Sequence, residues 1–174
     1  MAASILPLLL YLLAARCVMS LTIYGSKSSR TPLCHWYCYE ENIAFKQERF
    51  SNAHPFGQVP FCSDDGGVEI FESGAILLYL ADAYGSGRTD AKTRASYTKW
   101  VIFANSELDS LCFGKGMSGT SIDKPGRAMD KLEEILSSSN YLVNNQFSVA
   151  DVVSIKMLYL LKLTWIHIHY YKYY

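Results

Sequence analysis

The segment of residues 54–84 constrains the fold of this chain more than the rest of the sequence. Val59-Pro60 is an X-Pro step beside a short apolar run, where a cis peptide is tolerated. Residues 61–62 and 68–71 read as β-strands on either side of an Asp-Asp-Gly-Gly turn, which predicts a hairpin. A helix is then predicted, because apolar residues recur at helical spacing: Ile76, Leu77, Leu80 and Ala81.

Glu72 and Ser73 stand at the predicted start of this helix. The free backbone N–H groups and the serine hydroxyl at a helix N-terminus attract an anion. Together with the X-Pro step and the hairpin, these residues predict a binding site for a small peptide that carries a carboxylate.

Two strings in the same segment resemble motifs of the cytosolic glutathione transferases. Residues 55–60 read Pro-Phe-Gly-Gln-Val-Pro, which resembles the string that ends in the cis-proline of that family. Residues 72–76 resemble the start of the family's third helix, and residues 147–151 resemble the start of its sixth. The resemblance covers residues 21–160. It implies an α/β, thioredoxin-like N-terminal domain followed by an all-α C-terminal domain.

The pattern of elements in the first half agrees with that fold class. Strands are predicted at residues 21–24 and 43–50, and the helix between them has Thr31 as its N-cap and Asn42 at a left-handed C-cap position. Residues 51–57 read as a short irregular connector. The predicted order is β-α-β-α-β-β-α.

The second half is predicted to be helical. Apolar residues at helical spacing indicate helices over residues 93–113, 127–136 and 148–163, and Ser148 and Asp151 read as a capping box for the last of them. That helix is apolar nearly all round, which is typical of the centre of a domain. Because members of the family carry further helices after this box, we expect a truncated helical domain. Its exposed surface should drive dimerisation, aggregation or membrane association.

These patterns divide the chain into five segments. We expect an apolar N-terminal extension at 1–18, a thioredoxin-like glutathione-binding domain at 19–85, a linker at 86–92, the truncated helical domain at 93–163 and an atypical tail at 164–174.

The N-terminal extension leaves two interpretations open. Residues 5–15 form an apolar run with the length of a secretory signal, too short for a transmembrane helix. However, no Lys or Arg precedes this run, and Met19 offers a second start. The extension is therefore a targeting segment or an unused upstream start. We expect the protein in the cytoplasm unless the extension directs it elsewhere.

Composition argues against nucleic acid and metal ligands. The formal net charge is zero with both signs interspersed, so no basic surface for nucleic acid is expected. Five cysteines, an odd number, suit a reducing compartment. Cys34 and Cys38 lie on one predicted helix, but no second pair at zinc spacing follows, so we expect no metal.

Glutathione, as a co-substrate, is the ligand that the resemblance implies. Ser73 and the adjoining N–H groups would hold its γ-glutamyl carboxylate, and Glu72 would take its ammonium group. The cysteinyl unit would pair with the backbone of Val59, which Pro60 holds in place, as an added antiparallel strand does. Two further residues are expected to border the glycine end: Gln58 and His54.

The chemistry implied by the resemblance requires a glutathione thiolate. A neutral hydrogen-bond donor near a helix start lowers the pKa of a thiol. Ser29-Arg30 resembles the Ser-Arg pair of bacterial and cyanobacterial chi-type transferases, so we expect Ser29 as the donor and Arg30 as a source of positive potential. Tyr24 is the alternative, because animal-type enzymes use a tyrosine at the end of this strand. Three other residues rank below these: Ser28, Ser26 and Cys34.

The resemblance thus implies a serine-type enzyme, nearest to the chi-type and plant transferases. It would conjugate glutathione to small electrophiles in detoxification, with a peroxidase side activity, and act as a homodimer. The alternative is a transferase-like module without catalysis, which serves in binding or assembly as in some translation-factor and synthetase complexes. Membrane association is expected only through residues 5–15 or 148–163. The electrophile cannot be read from the sequence.

Overall fold

The computed structural model describes residues 20–85, 90–108 and 127–160. The predicted N-terminal extension, most of the predicted linker and the predicted tail lie outside these ranges, as do the last residues of two predicted helices. Within the described ranges, no helix combines the length and the apolar character that crossing a membrane requires.

A four-stranded sheet forms the first half of the structure. It consists of β1 (Thr22–Tyr24), β2 (Lys46–Glu48), β3 (Phe61–Ser63) and β4 (Glu69–Phe71), in the order β2-β1-β3-β4. β1 and β2 are parallel, whereas β1 and β3, and β3 and β4, are antiparallel. Each strand lies where the sequence predicts one, although β2 is shorter than the predicted range.

Helix α1 (Thr31–Glu40) forms the crossover between β1 and β2. It is followed by Asn42 in the predicted left-handed conformation, with φ of 55°. The predicted N-cap, however, is wrong by one residue. Arg30 is the N-cap, and the Thr31 N–H donates to Ser29 Oγ at 3.1 Å. Ser29 therefore supplies the capping oxygen, and Thr31 becomes the first residue of the helix.

The connector between β2 and β3 contains turns and no helix, so the second helix of the predicted order is absent from this described segment. Pro55 disfavours a helical conformation in the residue before it. Gly57 has φ of 61° and closes a turn by donating its N–H to the His54 carbonyl at 3.1 Å. The observed order of the first half is β-α-β-β-β-α, with the irregular connector as predicted.

Helix α2 (Ser73–Ala83) packs on the sheet beside α1. Its predicted apolar face is confirmed, because all four residues of that face are buried. They belong to one core with the apolar side chains of β1 and α1. The central members of this core are Leu21, Ile23, Leu33, Ile76, Leu77 and Leu80.

Within the described residues, three helices follow the sheet. They are α3 (Ala91–Phe103), which continues as a π-helix over Ala104–Leu108, α4 (Arg127–Ser138) and α5 (Val149–Leu160). α5 contacts α1, α2 and α3, so its first turns are buried as the all-round apolar pattern predicts. The α3 and α5 side chains join the core of the sheet half: Val101, Ala104, Leu108, Val149, Val152 and Val153.

The predicted capping box of α5 is confirmed. The Asp151 carboxylate accepts hydrogen bonds from the Ser148 N–H and from the Ser148 hydroxyl, both at 2.9 Å. It also accepts from the Leu142 N–H at 2.8 Å, which ties the preceding loop to the helix start. Asp151 is only 1% exposed, so these three donors satisfy a buried carboxyl group.

The β3–β4 turn is fastened to α2 by a partly exposed hydrogen-bond cluster around Asp64. The Asp64 carboxylate accepts from the hydroxyls of Tyr79 and Tyr84, the latter at 3.0 Å, and from the N–H groups of Gly66 and Val68. Although burial acts in the opposite direction, these hydrogen bonds hold the pKa of Asp64 below its ordinary value. Burial and the bond to Asp64 raise the pKa of Tyr84 to about 12.

Tyr84→Phe is expected to lower the free energy of unfolding by about 1 kcal/mol at neutral pH, because one hydrogen bond to Asp64 is lost. A carboxyl whose folded-state pKa is lowered stabilises the protein above its unfolded pKa of about 3.9, and this stabilisation is lost as the pH falls further. The deficit of Tyr84→Phe should therefore shrink below that pH. Urea unfolding at several pH values measures it, with Tyr141→Phe as the control on an exposed ring. If the loss of unfolding free energy in Tyr84→Phe stayed constant with pH, the Tyr84 hydroxyl would not be stabilising the ionised Asp64 carboxylate.

Candidate functional site

The strand register brings the predicted site segments to one edge of the sheet. Phe61 pairs with Tyr24 on one side and with Phe71 on the other. Three segments therefore lie side by side at one edge of the sheet: the loop after β1, the Val59-Pro60 step before β3 and the start of α2 after β4. Residues that lie far apart in the sequence meet at this edge.

Ser73 begins α2 and is 1% exposed. Its hydroxyl has no hydrogen-bond partner in the part of the chain that the structure describes. The first N–H groups of a helix have no partner within the helix, and they carry partial positive charge. An unpartnered hydroxyl beside such groups is a site that an anionic oxygen would satisfy.

Glu72 precedes this helix in a strained backbone conformation, with φ of 69° and ψ of 121°. A residue other than glycine rarely adopts a positive φ, and the conformation costs about 1–3 kcal/mol. The Glu72 side chain forms no capping hydrogen bond, whereas its carbonyl accepts from the Ile76 N–H at 2.9 Å. Because such a conformation persists only where the surrounding structure enforces it, Glu72 is held in a fixed position at the edge of the site.

The Val59-Pro60 peptide bond is cis, as the resemblance implies. Pro60 is buried and Val59 is half-buried. The pairing of β3 with β1 begins at Phe61, so Val59 lies just beyond the paired strand. Its backbone groups are in a position where an extended ligand can pair with them.

The two residues predicted at the other end of the site differ in environment. Gln58 is exposed, next to Val59. His54 is 6% exposed, its ring lies 5.0 Å from the Phe71 ring and 5.7 Å from the Phe61 ring, and its Nδ1 accepts from the Phe56 N–H at 3.0 Å. His54 therefore packs against two aromatic rings of the sheet and stabilises a turn within the connector.

Ser29 lies in a tight hydrogen-bonded loop before α1. Its hydroxyl donates to the Ser26 carbonyl at 2.8 Å, and its oxygen lies 2.6 Å from Thr31 Oγ1. Because a hydroxyl has one proton, the Thr31 hydroxyl must be the donor in the second contact. Ser29 Oγ thus accepts from both the hydroxyl and the N–H of Thr31. Two donors on one oxygen make its own proton a stronger hydrogen-bond donor.

The other residues considered for activation of the thiol differ in burial and in their contacts. Tyr24 is half-buried at the end of β1, with its ring 5.6 Å from the Phe61 ring. Ser28 is exposed, and its hydroxyl lies 3.0 Å from that of Ser26. Cys34 is completely buried within α1.

The other described thiols do not favour thiolate chemistry. Burial raises the pKa of Cys38 and of Cys62 to about 12, so both thiols are protonated at neutral pH. Across residues 20–85, 90–108 and 127–160, no three His, Cys, Asp or Glu side chains are grouped as metal ligands would be.

Two residues at the site were not found from the sequence. Thr31, interpreted only as a helix cap, lies between Ser29 and Gly25. Asn105 belongs to the π-helix after α3, and its Oδ1 accepts from Arg30 Nη1 at 3.3 Å. The only local signal for Asn105 is that an amide lies at helical spacing from apolar Val101 and Leu108, and that signal does not say what the amide contacts.

Part of the chain is similar in sequence to known proteins. Residues 19–82 match the family description "Glutathione S-transferase, N-terminal domain". A glutathione S-transferase from Arabidopsis thaliana is 32% identical over 58% of this chain and 56% of its own length. Elongation factor 1-gamma from Artemia salina is 28% identical over 62% of this chain and 28% of its own length. The chain therefore spans little more than half of the plant relative.

The fold is also similar to that of solved structures. A crystal structure of a glutathione transferase from Burkholderia graminis, with two glutathione molecules bound per protein subunit, superposes with a TM-score of 0.63 at 22% identity. The match covers 82% of this chain and 73% of that one. This likeness supports the thioredoxin-like half and the helical half as one known architecture.

Gly25→Ala is expected to disrupt the loop that carries Ser29. Gly25 has φ of 148°, and a Cβ there would lie 1.8 Å from Thr31 Oγ1. Because Thr31 is buried and bonded to Ser29, it cannot yield without breaking the network. We expect a loss of about 3 kcal/mol or more in unfolding free energy. Gly57→Ala, at φ of 61° in open space, is the control, with an expected loss of about 1 kcal/mol. Equal losses in urea unfolding would contradict the close contact.

Proposed function

We propose that the chain, whose residues 19–82 match the N-terminal domain of the glutathione S-transferases, is a member of that family, binds glutathione at the sheet edge and activates the thiol for attack on small electrophiles. The observation that carries this proposal is the buried Ser73 hydroxyl, which has no partner in the described residues, at the first position of α2. Burying such a hydroxyl costs about 1–3 kcal/mol. A ligand carboxylate at the helix start would recover this cost.

In the proposed complex, the γ-glutamyl end of glutathione lies at the start of α2. Ser73 and the first N–H groups of the helix bind its carboxylate, and Glu72 binds its ammonium group. The strained backbone of Glu72 supports this role, because strain is retained where a ligand clamp needs a fixed geometry. These two residues touch a part of glutathione that does not react, so they act in binding.

The cysteinyl unit is proposed to pair with the backbone of Val59, which the cis Pro60 presents beyond the end of β3. Gln58 and His54 are proposed near the glycine carboxylate. The exposure of Gln58 supports direct contact, whereas the enclosed ring of His54 supports a role in shaping the connector.

The thiol is proposed to lose its proton to solvent water, and Ser29 and Arg30 stabilise the thiolate that results. When the Ser29 hydroxyl turns from the Ser26 carbonyl to the sulfur, the Thr31 N–H and hydroxyl still donate to its oxygen. That arrangement favours the thiolate by a hydrogen bond to developing charge. The sulfur then forms a bond to an electrophilic carbon of the substrate, and the electron pair of the broken bond departs with the leaving group. Tyr24 stays the alternative donor.

A second candidate function is a non-catalytic binding or assembly module. The match to elongation factor 1-gamma favours it, because that protein shares this segment within a much longer chain. Both candidates retain the binding site and differ in catalysis. Retention on immobilised glutathione tests the binding site, and turnover of a chlorinated nitroaromatic then separates enzyme from module.

The remaining parts of the proposal follow from the family resemblance. We propose residues 19–85 as the glutathione-binding domain and residues 93–163 as the helical domain. A homodimer in the cytoplasm and a role in detoxification stay predictions.

Ser29→Ala is expected to raise the pKa of bound glutathione and to lower kcat roughly 10- to 1,000-fold, with nearly unchanged glutathione affinity. Because Ser29 also caps α1, a stability loss of about 1 kcal/mol should accompany it. Thiolate absorbance against pH and steady-state kinetics are the measurements, with Ser28→Ala as the matched control. A fully active Ser29→Ala beside an inactive Tyr24→Phe would assign the role to the tyrosine.

Ser73→Ala is expected to have opposite effects on binding and on stability. Removal of a buried, unsatisfied hydroxyl should stabilise the ligand-free protein by about 1 kcal/mol. It should also raise the KM for glutathione about tenfold, with a smaller change in kcat. Ser154→Ala is the control, because Ser154 is buried on α5 and its hydroxyl also lacks a partner among the described residues. It should stabilise the protein and leave KM unchanged. An effect of Ser73→Ala on kcat alone would contradict the binding role.

A further inference from the structure

The π-helix after α3 places an amide beside the proposed site. Ala104 and Leu108, the first and last residues of this segment, are completely buried, so both of its ends are held in the core. Asn105 lies between them and is half-buried. A π-helical turn contains an extra residue, which changes the direction in which the following side chains point. Such segments are frequent at functional sites.

Asn105 contacts both halves of the proposed glutathione site. Its Oδ1 accepts a hydrogen bond from Arg30 Nη1 at 3.3 Å, across 75 residues of sequence. A Cβ on Gly74 would lie 2.5 Å from Asn105 Nδ2, so this nitrogen lies directly against the first turn of α2. Arg30 is next to Ser29, and Gly74 is next to Ser73. One side chain thus spans the two segments.

Gly74 allows this close approach. A Cβ at that position would also lie 2.7 Å from Val101 Cγ1, on the preceding turn of α3. Val101 is buried and packed in the core. The Gly74 backbone therefore lies directly against the side chains of Val101 and Asn105, and any side chain at position 74 would push the start of α2 away from the π-helix.

We propose that Asn105 is a positioning residue that holds Arg30 beside the sulfur site at a fixed distance from the carboxylate site at Ser73. This inference rests on the proposed function. The chemistry of the amide is what suits it to the task. A neutral oxygen orients the guanidinium without adding negative charge near the proposed thiolate, whereas a carboxylate would add one.

A negative charge at position 105 should also weaken binding of the γ-glutamyl carboxylate at the start of α2. The amide nitrogen lies against Gly74, so a carboxylate there would face the proposed site of the γ-glutamyl carboxylate. Like charges in a partly buried site repel, which weakens binding. Asn105→Asp, which preserves size and the acceptor oxygen, should therefore be more harmful than Asn105→Ala. A role in packing alone predicts the reverse order, because the shortened side chain leaves a cavity.

The experiment compares Asn105→Asp and Asn105→Ala in the full chain, with Ser106→Ala as the control. Ser106 belongs to the same π-helix, is exposed and bonds to the Ile102 carbonyl. The thiol pKa of bound glutathione, KM and kcat are measured for each. Asn105→Asp should raise the thiol pKa by about one unit and KM about tenfold, Asn105→Ala should change both less, and Ser106→Ala should match the parent. A normal Asn105→Asp beside an impaired Asn105→Ala would overturn the proposal.

A readout without glutathione separates this inference from the proposed function. Ser29→Cys introduces a thiol next to Arg30, and its alkylation rate against pH gives its pKa. Adding Asn105→Asp should raise that pKa by about one unit, and adding Asn105→Ala should raise it less. Suppose that the cysteine pKa rises as expected but the parent protein does not bind glutathione. The proposed function would then be rejected, and the role of Asn105 in positioning Arg30 would stand. An unchanged cysteine pKa in both double variants would overturn the positioning role itself.

Discussion

The antiparallel register of β3 is the constraint on which the site depends. Phe61 pairs with a residue of β1 and a residue of β4 at the same level, so three chain segments leave the sheet side by side. A slip of one residue would turn the side chains of β3 to the opposite face of the sheet. It would also separate the cis peptide from the start of α2. The hairpin turn, which the Asp64 cluster fastens to α2, keeps this register in place.

The site is held ready for a ligand at a cost in free energy. Glu72 retains a positive φ, and Ser73 buries a hydroxyl without a partner in the described residues. Both features are unfavourable in the ligand-free protein. They persist because the surrounding core is closed: the α2 residues behind them are completely buried. A ligand with a carboxylate would be bound by groups that need no rearrangement, which reduces the entropy lost on binding.

The helical half belongs to the site as much as to the core. Through the π-helix after α3, it contacts the residue that follows Ser29 and the residue that follows Ser73. These contacts join the two ends of the proposed glutathione site through one framework of half-buried side chains. The two candidate functions share that framework. They differ in whether the loop of Ser29, with its paired donors from Thr31, acts on a bound sulfur.

The sequence by itself determined the features that arise within a few residues. The X-Pro step, the Asp-Asp-Gly-Gly turn, the apolar spacing of α2 and the capping box of α5 are local patterns, and each is present in the structure. Only the tertiary structure decided that Thr31 begins α1 and does not cap it, because its side chain packs against Gly25 at the end of β1. It also decided the place of Asn105. Both ends of its π-helix are buried in the core, and their neighbours there come from distant parts of the chain.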